Sequence, residues 1–457
     1  MVARNLKLLI FASLLIWITI TLLVTFTPSS DEKTTETNSD LLKVFTNSTE
    51  VKVTKIETVS SSSVSKEIDS TYSDILDAQI NKKYCEIESK NGCRFLFAYC
   101  LPEQETSSNR HFITYTRIAR KLNRTMVLTN VGQSRIRSDR MLPFSFYYDI
   151  DALRKNFPDV KFITQEDFRK WTKERHNKPG VVHARIERLE PKNTADLVKP
   201  DLKVLKDMRK FDFKFNNSTS FLQLNVGDYG SWASGKGNKK MLRFLINTLN
   251  SKKTEEVMLI VHDRKTLFKI KDPIPYAKHL VNAAEKIING LGEYIAIHWR
   301  MEGGEVALMP KCTEQLVTYL KDLTSKTGIN NIYFATDYPL SQRPQSDTFH
   351  KLSNKHHQAV KMLNSSFYLN TWVSTHSLDY LKEYTALSGP LEDELIGGGL
   401  QGILDKLVLI KGSYFISGPK GCCRTVSKYT RRVADERKKL IGKGVKRIKN
   451  IVDRWKI

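Results

Sequence analysis

Cysteine is scarce in this chain, with six in 457 residues, and the six lack the spacing of a structural zinc site. They form an early group, Cys85, Cys93 and Cys100, and a late group, Cys312, Cys422 and Cys423. An even count predicts disulfides if the chain folds in an oxidising compartment. Buried thiols are an equal alternative for the late group, since adjacent cysteines rarely bridge one another. The connectivity stays open at this point.

Acidic residues are also in deficit, with 49 against 73 basic residues and a formal net charge of +24. Such an excess indicates a phosphate-bearing ligand or an anionic surface as a partner. Much of it lies in residues 431–457, where apolar residues recur near helical spacing beneath basic ones. This pattern predicts a basic C-terminal helix with a solvated outer face.

Aromatic residues are almost missing from residues 27–83, which are rich in Ser, Thr, Lys and Glu. A segment of this composition cannot bury enough apolar surface to offset the entropy of ordering its backbone. The sequence therefore predicts a flexible stem that ends where the folded part begins.

A long apolar run covers residues 6–26, and about 20 such residues suffice for a helix to cross a bilayer. Arg4 and Lys7 lie on its N-terminal side and acidic residues follow it, so residues 1–5 are expected to be cytoplasmic. A cleavable signal peptide is the alternative. The run is longer than the usual apolar region of such peptides, however, and no A-x-A-like site follows it.

The remainder of the chain is then expected to be luminal, as in a single-pass type II protein of the Golgi membrane. Five Asn-x-Ser/Thr sites agree with this, at Asn47, Asn123, Asn216, Asn217 and Asn364. The last residues lack a KDEL-like signal, which argues against retrieval to the endoplasmic reticulum. Nucleic acid is not an expected partner behind a membrane.

The folded part alternates apolar strands with helical segments, which predicts an α/β fold with parallel sheets. Predicted strands are 95–99, 126–128, 256–261, 293–298 and 331–335, and predicted helices include 109–122, 168–173, 274–290 and 313–325. We expect one domain over residues 84–240 and a second over residues 241–430. Ligands of open α/β sheets bind beyond the carboxyl ends of the strands.

Three candidate side chains lie at the end of the predicted strand 293–298: His298 is its last residue, and Arg300 and Glu302 come just after it. An arginine fork matches phosphate oxygens and can stabilise the charge on a departing diphosphate. The alternative for Arg300 is an ion pair with Glu302 or Glu305 at a domain edge. His298 alternates with apolar residues, so a hydrogen-bonded core imidazole is its alternative.

Two further groups are candidates for ligand binding. Asp337 ends another predicted strand and could accept from a base or ribose, or could merely cap the turn before Pro339. Residues 413–430 run from a short strand through glycines to Thr425 and Ser427, and hydroxyls with backbone amides at a helix start can hold phosphate. Ordinary turn glycines are the alternative for this stretch.

Asp149 and Asp151 could hold a divalent cation, but they open a predicted helix, where acids favour the helix dipole. The glycines of residues 227–237 lack the GxxxxGK[ST] spacing of a phosphate loop. We therefore predict no metal site in either segment.

Over residues 94–430 the chain resembles the GDP-fucose protein O-fucosyltransferase superfamily, including its plant-type branch. Three motifs carry the resemblance, in the family's order. They are the segment from Asn109 to Leu128, the HWRME run at residues 298–302 followed by FATD, and the segment LDKLVLIKGSYFISG that leads to Ser427.

The resemblance implies two Rossmann-like domains facing a cleft, of the GT-B type, and an inverting, metal-independent transferase with GDP-fucose as donor and a protein or glycan as acceptor. It implies no cofactor. By position, Arg300 would bind the β-phosphate and assist its departure, His298 would contact the nucleotide sugar with Glu302 beside it, Asp337 would lie near the nucleoside, Thr425 and Ser427 would hold phosphate, and Asn109 would line the sugar end.

The chain also departs from the family's pattern. LPEQETSSN replaces the Gly-rich loop before the family's Asn, and Glu103 or Glu105 could supply the base that some members use. KGCCRTVSK stands where the family has a Ser/Thr-Phe-Ser run. The alternatives are a catalytically silent sugar-binding or scaffold member, a transferase for another sugar nucleotide such as an activated rhamnose, and a metal-dependent GT-A enzyme built on Asp149 and Asp151.

Overall fold

The computed structural model describes residues 61–85, 92–188, 202–217, 219–227, 235–252, 254–263, 273–340, 349, 351–381, 394–395, 398–423 and 427–456. The predicted cytoplasmic residues 1–5 and membrane helix 6–26 lie outside these ranges, as does the stem up to residue 60. None of the helices within these ranges is both long and apolar enough to cross a membrane.

The prediction of an unfolded stem is wrong for its last part, because helix α1 covers Ser61–Cys85. Asp77 of α1 is buried and accepts the backbone amides of His176 at 2.7 Å and Asn177 at 2.9 Å. Asn81 accepts the indole N–H of Trp171 at 2.9 Å. Polar side chains that accept hydrogen bonds from the folded domain hold this helix in place, and composition alone does not reveal these long-range contacts.

A six-stranded parallel sheet follows α1, with strand order β5-β2-β1-β8-β6-β7. Its segment of the chain comprises β1 Phe95–Cys100, α2 Glu105–Lys121, β2 Thr125–Leu128, the β3 Val131–Gly132 and β4 Arg135–Ile136 hairpin, α3 Ile150–Asn156, β5 Phe162–Thr164, α4 Gln165–Glu174, β6 Val181–Glu187, α5 Leu202–Lys210, β7 Thr219–Asn225, α6 Gly235–Asn250 and β8 Val257–His262. The predicted strands 95–99 and 126–128 and helix 109–122 are confirmed.

A four-stranded parallel sheet forms the second half, with order β11-β10-β9-β12. Its elements are α7 Lys278–Leu291, β9 Tyr294–Trp299, α8 Met309–Thr327, β10 Asn331–Thr336, α9 Asn354–Ser366, β11 Leu369–Asn370, α10 Gly398–Lys411, β12 Tyr414–Ser417 and α11 Lys428–Gly442. The predicted α/β class with parallel sheets is confirmed. Nearly continuous apolar strands such as β9 are typical of parallel sheets that are covered on both faces.

The boundary that we predicted between residues 240 and 241 is wrong. Strand β8, Val257–His262, lies between β1 and β6 in the six-stranded sheet, so the first half extends at least to residue 262. The sequence pattern of a buried strand does not reveal which sheet the strand joins, because its neighbours are distant along the chain.

Alternation along each strand divides the core into three clusters. Leu96 and Ala98 of the first sheet share a continuous cluster with Tyr294 and Ala296 of the second. The other face of the first sheet packs against α1 and α4, and the other face of the second sheet packs against α8 and α9. The two sheets are therefore joined by one apolar layer, to which α2, α7 and α10 contribute.

The predicted C-terminal helix over residues 431–457 is correct only in its first part, because α11 ends at Gly442. Residues 443–456, the C-terminal tail, then run back along β12, and Asp453 forms a parallel bridge with Ile416. Apolar residues of the tail such as Trp455 are spaced as in a helix but are buried against the sheet instead.

Two disulfides form among the six cysteines, Cys85–Cys93 and Cys312–Cys422. The first closes the connection between α1 and β1. The second joins α8 to the loop after β12, across 110 positions of sequence. Cys100 and Cys423 are free thiols. The prediction of disulfides is confirmed, and the adjacent Cys422 and Cys423 do not bridge.

A buried ion pair links the two halves of the fold. Lys406 of α10 donates to Glu105 at the start of α2, and both side chains are at most 4% exposed. Lys406 also donates to the hydroxyls of Thr106 and Tyr276, each at 2.8 Å. Burial is the largest single effect and would raise the pKa of Glu105, but the charge and hydrogen bond of Lys406, with a hydrogen bond from Tyr276, together outweigh burial and lower this pKa. Glu105 is therefore a buried carboxylate that depends on Lys406.

Replacing Lys406 alone by Met is expected to reduce the free energy of unfolding by about 3–5 kcal/mol, since it leaves the Glu105 carboxylate buried and unpaired. Urea denaturation measures this loss. The double variant Glu105→Gln/Lys406→Met should recover part of it, because neither side chain is then charged. Lys438→Met, at an exposed position of α11, is the control and should change stability by less than about 0.5 kcal/mol. A loss no larger than that of the control would contradict this role for Lys406.

Candidate ligand pocket

The strands β9, β10 and β12 end side by side, and their carboxyl ends are Trp299, Thr336 and Ser417. Register alignment of these three strands brings the loop after β9, the turn after β10 and the loop after β12 to one edge of the second sheet. This edge is where ligands of open parallel sheets bind. The two strand ends at which we predicted ligand-binding residues, Arg300 and Asp337, are therefore neighbours.

An open pocket of about 180 Å³ lies at this edge. It is lined by Arg300, Ser417, Gly418, Lys420, Cys423, Ser427, Thr430, Arg431, Ala434, Val452 and Arg454. Four of these side chains are permanent or near-permanent cations, and none is a carboxylate. The lining therefore favours an anionic ligand.

Arg300 lies in this pocket and is also paired, since its Nη2 donates to Glu302 Oε2 at 2.7 Å. Both side chains are 25% exposed. The ion pair that we considered as the alternative is thus present, and it coexists with the pocket position. A half-buried pair near solvent is worth little net free energy. A phosphate could therefore take the place of Glu302 at small cost.

Asp337 holds the loop that carries Arg300. Its Oδ1 accepts the amide of Met301 at 2.7 Å, and its Oδ2 accepts the amide of Glu302 at 3.0 Å. Arg300 Nε lies 3.9 Å from the same carboxylate. Burial raises the pKa of Asp337 to about 6, despite these amides. The side chain therefore positions the loop rather than capping the turn before Pro339.

His298 is buried below the pocket, at 7% exposure. Its Nδ1 lies 2.8 Å from the hydroxyl of Thr430, and its ring stacks on Tyr429 with centroids 4.7 Å apart. Burial, with a smaller effect of Arg300, lowers the pKa of His298 to about 3, so the imidazole is neutral. It connects β9 to the first turn of α11, as expected for a hydrogen-bonded core imidazole.

Helix α11 begins at the pocket. Ser427 is its N-cap, and the Ser427 hydroxyl accepts the amide of Thr430 at 3.2 Å. Ser427, Thr430 and Arg431 all line the pocket. The free amides of a helix N-terminus and its dipole favour an anion there. Thr425, which we predicted to hold phosphate beside Ser427, lies outside the described residues.

The loop after β12 approaches the loop after β9 closely. Trp299 Nε1 donates to the carbonyl of Cys422 at 2.9 Å, and the amide of Glu305 donates to that of Gly421 at 2.7 Å. A Cβ at Gly418 would collide with Cys423. The disulfide from Cys422 to α8 fixes the same loop. One wall of the pocket is thus held by backbone contacts and a covalent bond.

Glu103, one candidate base, lies in the loop after β1 and pairs with Lys428 in the first turn of α11, at 2.7 and 2.6 Å. Burial would raise its pKa, but the hydrogen bonds from Lys428 and Ser107, together with the charge of Lys428, outweigh burial and lower it. The Glu103 side chain is 27% exposed. It is therefore an accessible carboxylate. Its partner Lys428 directly follows Ser427, the N-cap of the helix that begins at the pocket.

The structure does not bring Glu105 or Asn109 to the pocket lining. Glu105 is committed to Lys406, as described above. Asn109 is 2% exposed, accepts the amide of Ile274 at 2.8 Å and donates to its carbonyl at 3.2 Å. Both ends of the Asn109 amide are therefore occupied by backbone, and the residue anchors the segment before α7.

Asp149 and Asp151 serve helix α3. Asp149 is the N-cap and accepts the amide of Ala152 at 2.9 Å, and Asp151 lies 3.6 Å from Arg154. This confirms the helical interpretation of the pair. Within the described part of the chain, no three His, Cys, Asp or Glu side chains cluster as a metal site would require.

Lys420, Arg431 and Arg454 line the pocket but were not predicted from the sequence as site residues. Lys420 lies within the stretch 413–430 that we predicted to hold phosphate, but no signal singled it out. The other two belong to the basic segment that we assigned to a solvated helix. The charge excess of that segment was the available signal, since it already indicated a phosphate-bearing partner.

A cationic pocket at the carboxyl edge of a parallel sheet, opening at a helix N-terminus, defines an α/β protein that is built to bind a phosphate-bearing ligand. The sequence model of the GDP-fucose protein O-fucosyltransferase family matches residues 108–438, which is more than half of the chain. The chain belongs to this fucosyltransferase family.

Solved structures of fucosyltransferases are similar to the chain. POFUT1 in complex with GDP is 13% identical, covers 80% of this chain and 98% of its own, and has a TM-score of 0.44. POFUT1 in complex with GDP-fucose is 12% identical, with 81% and 99% covered and a TM-score of 0.43. The fucosyltransferase NodZ from Bradyrhizobium is 11% identical, with 75% and 92% covered and a TM-score of 0.34. No curated protein sequence matches the chain.

We expect the pocket to bind a phosphate-bearing ligand, with GDP as the probe, more weakly as the pH falls through about 6, because Asp337 then gains a proton. Above this pH its carboxylate can accept both amides of the Arg300 loop. Below it, the neutral acid accepts them less strongly, and Arg300 loses its fixed position. Calorimetric titration on both sides of pH 6 should show this loss of affinity. The loss should be roughly tenfold for each unit by which the pKa of Asp337 differs between the free and the bound protein.

The matched variant for this test is Asp337→Asn, which cannot titrate. Its affinity should be lower than that of the wild type at neutral pH and should lack the Asp337 component of the pH dependence. Asp322→Asn, at an exposed carboxylate of α8, controls for a general change of charge. Identical pH profiles for the wild type and Asp337→Asn would contradict the role assigned to Asp337.

Proposed function

We propose that this chain transfers fucose from GDP-fucose to a hydroxyl of a protein or glycan acceptor, with inversion at the anomeric carbon. The observation that carries the proposal is the pocket in which Arg300, Lys420, Arg431 and Arg454 gather at the N-terminus of α11. Membership of the fucosyltransferase family supplies the donor. We expect the reaction to occur in the Golgi lumen, with the apolar run at residues 6–26 as the membrane anchor.

The charge of the pocket suits a nucleoside diphosphate. Arg300 is the cation at the end of β9, and its neighbour Glu302 offers a carboxylate that a phosphate oxygen can replace. The diphosphate gains negative charge as its bond to the sugar breaks. Asp337 holds the loop that carries Arg300, so the arginine is already oriented toward that charge. This orientation lowers the free energy of the transition state more than that of the bound donor.

In the proposed step, an oxygen of the acceptor attacks the anomeric carbon of fucose on the face opposite the diphosphate. The new C–O bond forms as the bond to the β-phosphate oxygen breaks, and GDP leaves with the electron pair. The proton of the acceptor hydroxyl passes to a base. Of the two predicted candidates, Glu103 suits this role better, because it is accessible and ionised, whereas Glu105 is enclosed with Lys406.

We expect no metal requirement, because four protein cations supply the positive charge that a divalent ion would otherwise bring to the diphosphate. Two other proposals share this pocket. A different GDP- or UDP-linked sugar would leave the phosphate contacts unchanged. A catalytically silent member of the family would bind the donor without transferring the sugar. Two observations favour this alternative: LPEQETSSN replaces the Gly-rich loop, and Glu103 is engaged with Lys428.

The test is titration of the purified luminal part with GDP, GDP-fucose, UDP and UDP-sugars, with and without EDTA, beside an assay of GDP release from GDP-fucose with water as acceptor. Selective GDP binding that EDTA does not change would support the proposal. Binding without any GDP release would favour the silent member. Absence of nucleotide binding would overturn the proposed function.

Arg300→Ala is expected to lower kcat for GDP release by about 100-fold or more, since it removes a charge that acts on the leaving diphosphate. Arg300→Lys should recover only part, because an ammonium cannot form the two-pronged contact. Arg243→Ala, at an exposed position of α6, is the control and should behave as the wild type. A wild-type rate in Arg300→Ala would contradict the assigned role.

A further inference from the structure

The C-terminal tail forms an additional edge beside β12. The amide of Lys449 donates to the carbonyl of Ser413, that of Asp453 to Phe415, and that of Ser417 to Asp453, each at 2.9 Å. The side chain of Asn450 bonds both the amide and the carbonyl of Phe415, at 2.8 and 3.1 Å. These contacts fix the register of the tail against the strand that ends at the pocket.

Trp455 anchors the end of this tail. Its side chain is 1% exposed, belongs to the core cluster below β9 and meets the ring of Trp299 edge-on, with centroids 5.7 Å apart. The preceding Asp453 is held by its backbone and accepts from the hydroxyl of Tyr319 at 3.3 Å. The residue between them, Arg454, is therefore fixed on both sides along the backbone.

Successive side chains of an extended segment point to opposite faces. Since Trp455 points into the core, its neighbour Arg454 points outward, and Arg454 lines the pocket together with Arg300 and Arg431. Its side chain is exposed and forms no salt bridge among the described residues. The guanidinium is thus positioned at the pocket with its donors available for a ligand.

The family match ends at residue 438, so it assigns no role to the tail. We propose that Arg454 is a donor-binding residue, supplied by the tail, which contacts the diphosphate of the sugar nucleotide, and that Trp455 is the residue that positions it. The inference rests on the proposed function for the identity of the donor. It assigns a direct diphosphate contact to one of the four pocket cations, and this cation comes from a segment that the sequence pattern assigned to a helix.

The two arginines should differ in their kinetic effects. Arg300 lies at the end of β9, where the bond to the leaving group breaks, so its loss should lower kcat. Arg454 lies on the tail side and holds the diphosphate equally before and during transfer. Its loss should therefore raise the KM for the donor and leave kcat nearly unchanged.

The experiment compares the wild type with Arg454→Gln, Arg454→Lys and the control Lys456→Ala, an exposed tail residue outside the pocket lining. Calorimetry with GDP and with guanosine separates contacts to the diphosphate from contacts to the nucleoside. We expect Arg454→Gln to raise the Kd for GDP about tenfold, the typical effect of losing a charge-assisted hydrogen bond, and to leave the Kd for guanosine unchanged. Arg454→Lys should recover part of the GDP affinity, and the melting temperature should stay at the wild-type value.

Three outcomes would each contradict one of the two proposals. An unchanged Kd for GDP in Arg454→Gln, with normal GDP binding by the wild type, would overturn the inference and leave the proposed function intact. An equal loss of GDP and guanosine binding would overturn it too, since the contact would then be to the nucleoside. Failure of the wild type to bind GDP at all would instead overturn the proposed function.

Trp455→Phe provides a second, independent readout. A smaller ring in the same core position should loosen the tail, so the Kd for GDP should rise while the guanidinium of Arg454 is still present. The double variant Trp455→Phe/Arg454→Gln should then bind GDP no more weakly than Arg454→Gln alone, because the two act through one contact. Additive losses would show that Trp455 acts elsewhere.

Discussion

The ion pair between Glu105 and Lys406 determines how the two sheets can be arranged. A buried charge is tolerated only when a partner and further hydrogen bonds replace its hydration. Here Tyr276 and Thr106 complete the shell of the lysine. Helix α2 follows the loop after β1, and α10 leads into β12. Any shift between the halves would separate these charges, so the pair fixes the distance between that loop and the pocket.

The pocket depends on this arrangement through a second contact between the halves. Glu103 and Lys428 lie 325 positions apart in sequence, yet they join the loop after β1 to the first turn of α11. The same turn carries Ser427, Thr430 and Arg431. A candidate base and an anion site are therefore attached to one short piece of helix. Their separation is set by the fold and does not depend on loop flexibility.

Local patterns in the sequence account for most of the elements and for the strand-end residues. Strands β1 and β9 are continuous apolar runs, and polar side chains directly after β9 and β10 must meet because parallel strands end at one edge. Arg300 and Asp337 could be predicted for this reason. The sequence does not reveal whether such a side chain contacts a ligand or another part of the protein. Asp337, for example, accepts amides of the loop after β9, which is distant along the chain.

Other features depend on distant partners and leave no local signal. The position of β8 in the first sheet, the commitment of Asn109 to Ile274, and the pairing of Glu105 with Lys406 all join residues more than 100 positions apart. The tail was misassigned for a different reason. Apolar residues among basic ones satisfy a helical pattern, but the unpaired edge of β12 offers backbone hydrogen bonds that compete with the helix.

The tail along β12 also orders events during synthesis. Domains form as their residues become available, and the six-stranded sheet is complete once residue 262 has emerged. The edge of β12, by contrast, has no neighbour on its outer side until residues 449–453 arrive. A growing chain therefore carries an uncovered sheet edge from the time β12 forms until residues 449–453 are added, and such edges pair readily with other chains.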